Sequence, residues 1–424
     1  MKKNYSTAVK IITKLLYSIE FLHRSRLNEK NFTRNRSLNF VSATSIILNL
    51  CRKSLQTELY NFFDKIKNGA KPVSKQAFSK ARQNILPEAF MELYQVTVSE
   101  ARQSELSTYQ GYHVYAVDGS TVALENEPEL LEYFHCSGSA GNACTARISF
   151  LQDCLNGVIM DAQISDYKIG ERKLAQKHID ALKSMGINKD ILLFDRGYVS
   201  DDLLNNMLKD NLYFVMRIRD RWHEKEIAST KSGDFTNIIL DKKEQKIRMI
   251  KVPMKKLTEN GVETEEYEIL FTNIDFLDID QLFKLYGLRW GVETSYNTVK
   301  EKLQLENFSG KTVVSVLQDF FATVTIANMA TFYKIEADET IEDQDKDKDN
   351  KYKYQANLNI IIGILRDRLI EAVLEQNKRK QQKMLKKLFD DITRFKTPIR
   401  PDRNVPRKSP RQGKNFFMRK KSSI

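Results

Sequence analysis

Two short apolar runs, "VYAV" at 114–117 and "ILLF" at 191–194, each lead directly into an aspartate, Asp118 and Asp195. The first lies in "GYHVYAVDGSTVAL", which alternates toward a strand ending at Asp118-Gly119, and the second reads as a short buried strand whose last residue is Asp195. Between them lies "ARISFLQDCLNGVIMDAQI", two strand-like runs joined through Asn156-Gly157. Asn-Gly is a strong hairpin signal because both residues tolerate positive φ. "ERKLAQKHIDALKSMG" follows with helical spacing and closes at Gly186. After Asp195 come the helical "DDLLNNMLKDN" and the strand-like "LYFVMRI". Acids at the ends of neighbouring strands can converge on one edge of a sheet.

The order is strand, hairpin, helix, strand, helix, strand, which predicts a mixed α/β sheet of the ribonuclease-H-like kind over 111–219. Residues 220–274 change to polar, short alternating runs and read as a β-rich insertion. The core resumes over 275–335 with "DIDQLFKLYGLRWGVETSYNTVKEKLQLE", read as one helix, and a second apolar helix near Val313–Tyr333. A charged linker is expected over 336–354, and a basic helical region with a flexible tail from about 390 over 355–424. Residues 1–110 read as helical. "LQTELYNFFDKIKNG" stops at Gly69, Pro72 follows, and Ser74 is placed to cap "KQAFSKARQNIL". That is a helix-turn-helix-like arrangement, in which Lys75, Gln76, Lys80 and Arg82 would meet phosphates or bases.

Charge is segregated along the chain. The first 110 residues carry 18 Lys/Arg against 8 Asp/Glu, and the last 70 carry 19 against 6. The whole chain is +13, so the centre is −10. Basic flanks suit a polyanion such as double-stranded DNA, and an acidic centre suits divalent cations. The four cysteines form no CxxC pair and there are five histidines, so neither a zinc site nor a disulfide scaffold is expected, and a reducing cytoplasm is the natural setting. No stretch is read as a membrane span, and the basic N-terminal segment, interrupted by Lys14 and Glu20, reads as an amphipathic helix.

On one continuous helix, at about 100° per residue, Tyr286, Arg289, Glu293 and Lys300 would share roughly 60° of face. One acid among two cations and a phenol suits a DNA end: Arg and Lys grip phosphate, Tyr stacks or donates, Glu holds a metal. A lone carboxylate is a weak site, and Asp118 and Asp195 are the partners that strand ends could supply.

These residues resemble the DDE transposases of the bacterial insertion-sequence-four family. That family's signature is Tyr-x2-Arg-x3-Glu-x6-Lys, matched here by Tyr286, Arg289, Glu293 and Lys300 with every spacing kept. "AVDGST" with Asp118 and "LLFDRGY" with Asp195 match its first and second acids, and "LENFSG" also looks familial. The likeness covers roughly 70–330 and includes a β-rich insertion between the second acid and the glutamate. It implies Asp118, Asp195 and Glu293 as catalytic ligands of two Mg²⁺ ions, with Mn²⁺ as a substitute. It implies element ends and target DNA as partners, cleavage and 3′-OH joining as activity, a homodimer on DNA, and a nucleoid-associated bacterial protein. Arg289 and Lys300 would position phosphates, and Tyr286 the terminal backbone. Hairpin-forming relatives carry an insertion-domain Trp just before a strand like "EILFTN"; Tyr267 and Glu268 stand there instead, and Trp222 is distant. Two further classes share these features: a metal-dependent nuclease without strand transfer, and an inactive DNA-binding relative.

Overall fold

The computed structural model describes residues 4–400 apart from 35, 50–53, 67–70, 138–142, 187–189, 219–222, 241–244 and 258–262. The chain forms two compact units. One comprises Met1–Leu106, Thr121–Ala146 and Asn297–Ile424, the other Ser107–Ser120 and Arg147–Tyr296.

The first unit begins with α1 (Asn4–Leu16), α2 (Ile19–Ser25), α3 (Phe40–Leu48), α4 (Leu55–Ile66), α5 (Lys75–Arg82) and α6 (Glu88–Arg102). Ser18, Asn39 and Ser74 start α2, α3 and α5 by accepting from the N–H of Phe21, Ser42 and Ala77. Each cap satisfies a donor that the first helical turn leaves open.

The second unit is built on a sheet. The sheet begins with β1 (His113–Ala123), of which this unit holds the residues as far as Ser120, and which continues past Asp118-Gly119 rather than ending there. The chain then makes α7 (Pro128–Phe134) and the short β2 (Cys136–Ser137) before β3 (Ala143–Asp153) and β4 (Ile159–Asp166). The turn between β3 and β4 has Gly157 at φ 73°, the left-handed conformation that glycine enters without penalty. Next come α8 (Glu171–Ser184), β5 (Asp190–Phe194), α9 (Asp201–Lys209) and β6 (Tyr213–Arg217). The strands lie in the order β4-β3-β1-β5-β6, with β5 parallel to both β1 and β6. This is the ribonuclease-H-like arrangement expected from the element order. All five residues of β5 are buried, as a parallel strand covered on both faces requires.

After α10 (Glu224–Ser229), the strands β7 (Phe235–Leu240), β8 (Gln245–Leu257) and β9 (Glu263–Thr272) supply the expected β-rich segment. They are not a separate sheet. β9 pairs antiparallel with β6, and β8 and β7 follow, so the core sheet runs on through them. The backbone groups on the free side of β6 would otherwise lack partners.

The long helix expected from 278 onward is instead broken. α11 (Ile279–Gly287) and α12 (Trp290–Tyr296) are followed by a π-helical turn, Asn297–Lys302. At the break, Leu288 and Arg289 donate to residues three back, Leu285 and Tyr286. Two glycines, Gly287 and Gly291, flank this tighter turn. The first unit then continues with α13 (Val313–Asp345), β10 (Tyr354–Ala356), α14 (Leu358–Leu374), α15 (Lys378–Arg394) and β11 (Lys396–Pro398).

Two expectations change in α13. By length and composition it is apolar enough to cross a membrane, but 78% of its apolar window is buried inside the protein. It is the central helix of the first unit, and its polar residues are satisfied there: Asn328 donates to Thr97 Oγ1 at 2.9 Å. Its end overruns the expected charged linker as far as Asp345. Glu336 is buried and accepts from Tyr5 N–H, while Asp338 and Asp345 pair with Lys334 and Lys396. Neutralised acids do not repel each other out of a helix. Of the basic tail, residues 401–424 lie outside the described residues.

Arg82 is the main correction in the N-terminal region. Expected on a DNA-facing surface, it is 1% exposed. Its Nε donates to Gln318 Oε1 (2.9 Å), Nη1 to Ser309 Oγ (2.6 Å), and Nη2 to Asp319 Oδ1 (2.9 Å) and Ser315 O (3.2 Å). Gln318 Nε2 returns bonds to the carbonyls of Arg82 and Ile85. Ser309 belongs to the "LENFSG" segment, so that segment serves packing here. Lys75, Gln76 and Lys80 of the same helix are exposed. Replacing Arg82 by Met leaves Asp319 without its cation, and breaking a buried pair from one side costs about 3–5 kcal/mol. A urea titration of Arg82→Met is expected to show that loss as a lower midpoint with an unchanged slope.

Candidate active site

The sheet brings two of the three predicted acids together. β1 and β5 run parallel, with Ala116 opposite Leu193. Asp118 and Asp195 each lie two residues beyond that rung, so both carboxylates leave the same edge on neighbouring strands, spaced about 4.8 Å apart. The chain after Asp195 turns at once, with Tyr198 N–H donating to Asp195 O at 3.1 Å.

Glu293 arrives on α12, and Tyr296, one turn further along, anchors that helix. The Tyr296 ring stacks on Phe150 of β3 at 4.6 Å. Its hydroxyl donates to the backbone carbonyl of Asp118 at 2.6 Å and accepts from Phe150 N–H at 3.2 Å. Residues three apart share a helix face, so the contact that seats Tyr296 on Asp118 turns Glu293 toward the same strand end. Arg289, in the break before α12, lies 3.5 Å from Glu293 Oε1 through Nη2. Its guanidinium sits 5.9 Å from the Tyr286 ring centre and 5.7 Å from that of Trp290.

The electrostatics match a crowded acidic centre. Burial pushes the Asp118 carboxyl up to about 6. The Gly119 N–H and Arg289 oppose the rise, and Glu293 and Asp195 add to it. Arg289 stays firmly protonated: its burial works against the charge, and Tyr286, Asp195, Asp118 and Glu293 outweigh that. Burial also raises the Tyr286 phenol well above its usual value, which removes it as an ionised nucleophile.

The expected phosphate-gripping stripe is therefore not a surface. Tyr286 is 5% and Arg289 6% exposed, so both are inward-facing parts of the acidic centre. The continuous-helix geometry fails at the break, yet Tyr286, Arg289 and Glu293 still meet. Lys300 belongs to the first unit, where its Nζ donates to Thr121 O at 2.7 Å and lies 3.8 Å from Glu306. Trp222 lies outside the described residues. Tyr267 is exposed on β9 with Lys251 Nζ 4.2 Å from its ring centre.

Four residues of the centre had not been singled out. Tyr296 was legible as the residue one turn after Glu293. Ser149 donates to Asp118 O at 3.0 Å. Glu171, paired with Arg147 at 2.7 Å, packs against Gly119, where an added Cβ would lie 3.2 Å from its Cγ. That close approach explains the glycine after Asp118. Tyr198 is buried, with its phenol raised by burial and by Asp118, Glu171 and Asp195. Nothing in sequence spacing points to Ser149, Glu171 or Tyr198.

A divalent cation fits these residues. Three carboxylates supply hard oxygen donors, which suit Mg²⁺ or Mn²⁺. The hydroxyls of Tyr286 and Tyr198 and Nε of Arg289 are buried beside the acids without a hydrogen-bond partner among the described residues, as expected where water or phosphate completes a site. Among the described residues no group of three or more His, Cys, Asp or Glu side chains is already placed to hold a metal ion. Mg²⁺ does not need one, because it takes one or two carboxylates plus water and substrate oxygens.

A family model described as a transposase DDE domain matches residues 109–329, more than half of the chain. The chain belongs to the DDE transposase-domain family. The matched span takes in all three acids and most of the sheet. No curated protein matches the chain. Among solved structures, the piggyBac transposase synaptic complex with hairpin DNA is similar over 90% of this chain and 85% of that one, at a TM-score of 0.49 and 10% identity.

The Asp118 shift has a direct consequence for stability. Its folded carboxyl titrates near 6 against an ordinary 3.8, so the folded state holds a proton that the unfolded chain releases. Its contribution to stability is greatest below pH 4 and is lost as pH rises through 6, by about 3 kcal/mol. In EDTA at pH 8, Asp118→Asn is expected to raise the Tm, and at pH 4 the gain should vanish. Scanning calorimetry at the two pH values checks this.

Proposed function

We propose that the chain is a transposase of the insertion-sequence-four type. It binds the ends of its element as a homodimer, cleaves them, and joins the 3′-OH ends to target DNA in a bacterial cytoplasm. The observation that carries this reading is the register of β1 and β5, which puts Asp118 and Asp195 at one sheet edge, with Glu293 turned there by Tyr296.

In this reading Asp118, Asp195 and Glu293 hold two Mg²⁺ ions, or Mn²⁺ in their place. When bound, these supply Lewis-acid activation of water or a 3′-OH and neutralise charge on the leaving oxygen. Arg289 is a fixed internal cation that restrains Glu293 and offsets the acids before DNA arrives. Tyr286 packs beneath it and excludes water. Lys300 and the exposed Lys75, Gln76 and Lys80 contact the DNA backbone. Both basic flanks add sequence-independent affinity that falls with salt.

The test is a cleavage and joining assay with full-length protein, Mg²⁺ and DNA carrying the sequences that flank the gene. Free 3′-OH ends that then join to a plasmid are the expected products. Cutting without joining would make the protein a nuclease, and binding with neither a DNA-binding relative. Glu293→Gln is expected to keep end binding and to lower the cleavage rate at least a hundredfold, since it removes a metal-facing charge while preserving shape. Cleavage that survives this change would remove Glu293 from the site.

A further inference from the structure

The second unit contains a buried polar chain that ends on Asp118. Asp161 Oδ2 of β4 lies 2.6 Å from His178 Nδ1 of α8. His178 Nε2 lies 2.9 Å from Ser149 Oγ of β3, and Ser149 Oγ donates to Asp118 O at 3.0 Å. Gln163 Nε2 donates to Asp161 Oδ2 at 2.9 Å and fixes the far end.

The residue types are those of a hydrolytic triad, but that chemistry is closed to them. Ser149 is 1% and His178 0% exposed, so no substrate reaches Oγ. The serine proton also points at a carbonyl. Given to that carbonyl, it leaves Oγ to accept on the Nε2 side of His178, while the Asp161 carboxylate accepts on the Nδ1 side, so the imidazole is held between the two.

The terminus of the relay is informative. Pairing of β1 with β5 is registered as far as Ala116 opposite Leu193. Asp118 lies two residues beyond that rung, within β1, and its carbonyl accepts from side chains. Two side-chain hydroxyls donate to it, Ser149 from β3 and Tyr296 from α12. A backbone carbonyl fixed from two elements cannot rotate its peptide, and the peptide direction sets where the Asp118 carboxylate points.

We infer that Ser149, His178 and Asp161 form a positioning relay that, with Tyr296, holds the Asp118 backbone so that its carboxylate is aimed for cation binding. The inference rests on reading Asp118 as a member of the catalytic acid set. Partners behind a metal-facing group orient it, and their loss typically lowers metal affinity or activity roughly 10- to 100-fold.

The test uses full-length protein and four variants: Ser149→Ala, His178→Asn, His178→Gln and the double Ser149→Ala/His178→Asn. Readouts are Mn²⁺ affinity by electron paramagnetic resonance, single-turnover cleavage, end binding and Tm. Asparagine reaches the place of Nδ1 but not of Nε2, whereas glutamine reaches Nε2. Ser149→Ala and His178→Asn should each weaken Mn²⁺ binding and slow cleavage roughly 10- to 100-fold with end binding unchanged. His178→Gln should recover most of the loss. The double variant should be no worse than the worse single one, because both break one chain.

Wild-type Mn²⁺ affinity and cleavage in all three single variants, with only Tm lowered, would overturn the relay. So would losses that multiply in the double variant, or glutamine no better than asparagine. Asp161→Asn, which keeps size, stands in if a His178 variant does not fold, and should show the same loss. Asp118→Asn separates the two readings. If it cuts and binds Mn²⁺ like wild type, the catalytic assignment fails and takes the relay with it. If it is inactive while the relay variants behave as wild type, only the relay fails.

Discussion

The parallel pairing of β1 with β5 is the constraint on which the rest depends. Parallel neighbours run toward the same sheet edge, so acids two residues past a shared rung are delivered to one place without any loop having to find it, although β1 itself runs on to Ala123. The register of Ala116 with Leu193 puts Asp118 and Asp195 at equivalent steps. Taking a carboxylate out of water there is unfavourable, and the raised Asp118 carboxyl reflects that burial first, with Glu293 and Asp195 adding to it. Fully buried strand residues on both sides, Val114 to Val117 and Ile191 to Phe194, provide the apolar contacts that offset it.

The break between α11 and α12 solves a second problem. A straight helix has one axis, and its residues cannot both pack against β6 and β8 and turn an acid onto the end of β1. The short turn at Leu288 and Arg289 re-aims the chain, and Tyr296 locks the new direction through Phe150 and the Asp118 carbonyl. Arg289 then lies inside the centre instead of on a DNA-facing surface. A buried guanidinium is tolerated because three carboxylates face it. In the first unit, Arg82 shows the same logic at a different site, with a buried cation tying α5 to α13 through Asp319, Gln318 and Ser309.

Local rules read correctly wherever the deciding atoms are close in sequence. Ser74 caps α5 because its acceptor and the Ala77 donor are three residues apart. Gly157 and Gly186 close a hairpin and a helix with positive φ. Asp118, Asp195 and Glu293 stand out as candidates because apolar runs and motif spacing mark them. Local rules failed where a distant partner decides. Arg82 looks like a surface cation until Asp319 arrives from 237 residues away. The acids of 336–345 look like a solvated loop until Tyr5 and Lys396 meet them.

What the sequence determined by itself is the order of the core strands and helices and the choice of Asp118, Asp195 and Glu293 as candidates, since periodicity, turn chemistry and motif spacing are properties of neighbouring residues. What only the tertiary structure decided is which polar groups face each other. Whether Arg289 grips phosphate or neutralises carboxylates, whether the β-rich segment stands apart or extends the sheet, and that Ser149, His178 and Asp161 line up behind Asp118 all depend on pairings across long stretches of chain. Such pairings follow from burial, because a polar atom removed from water must find whatever partner the fold brings to it.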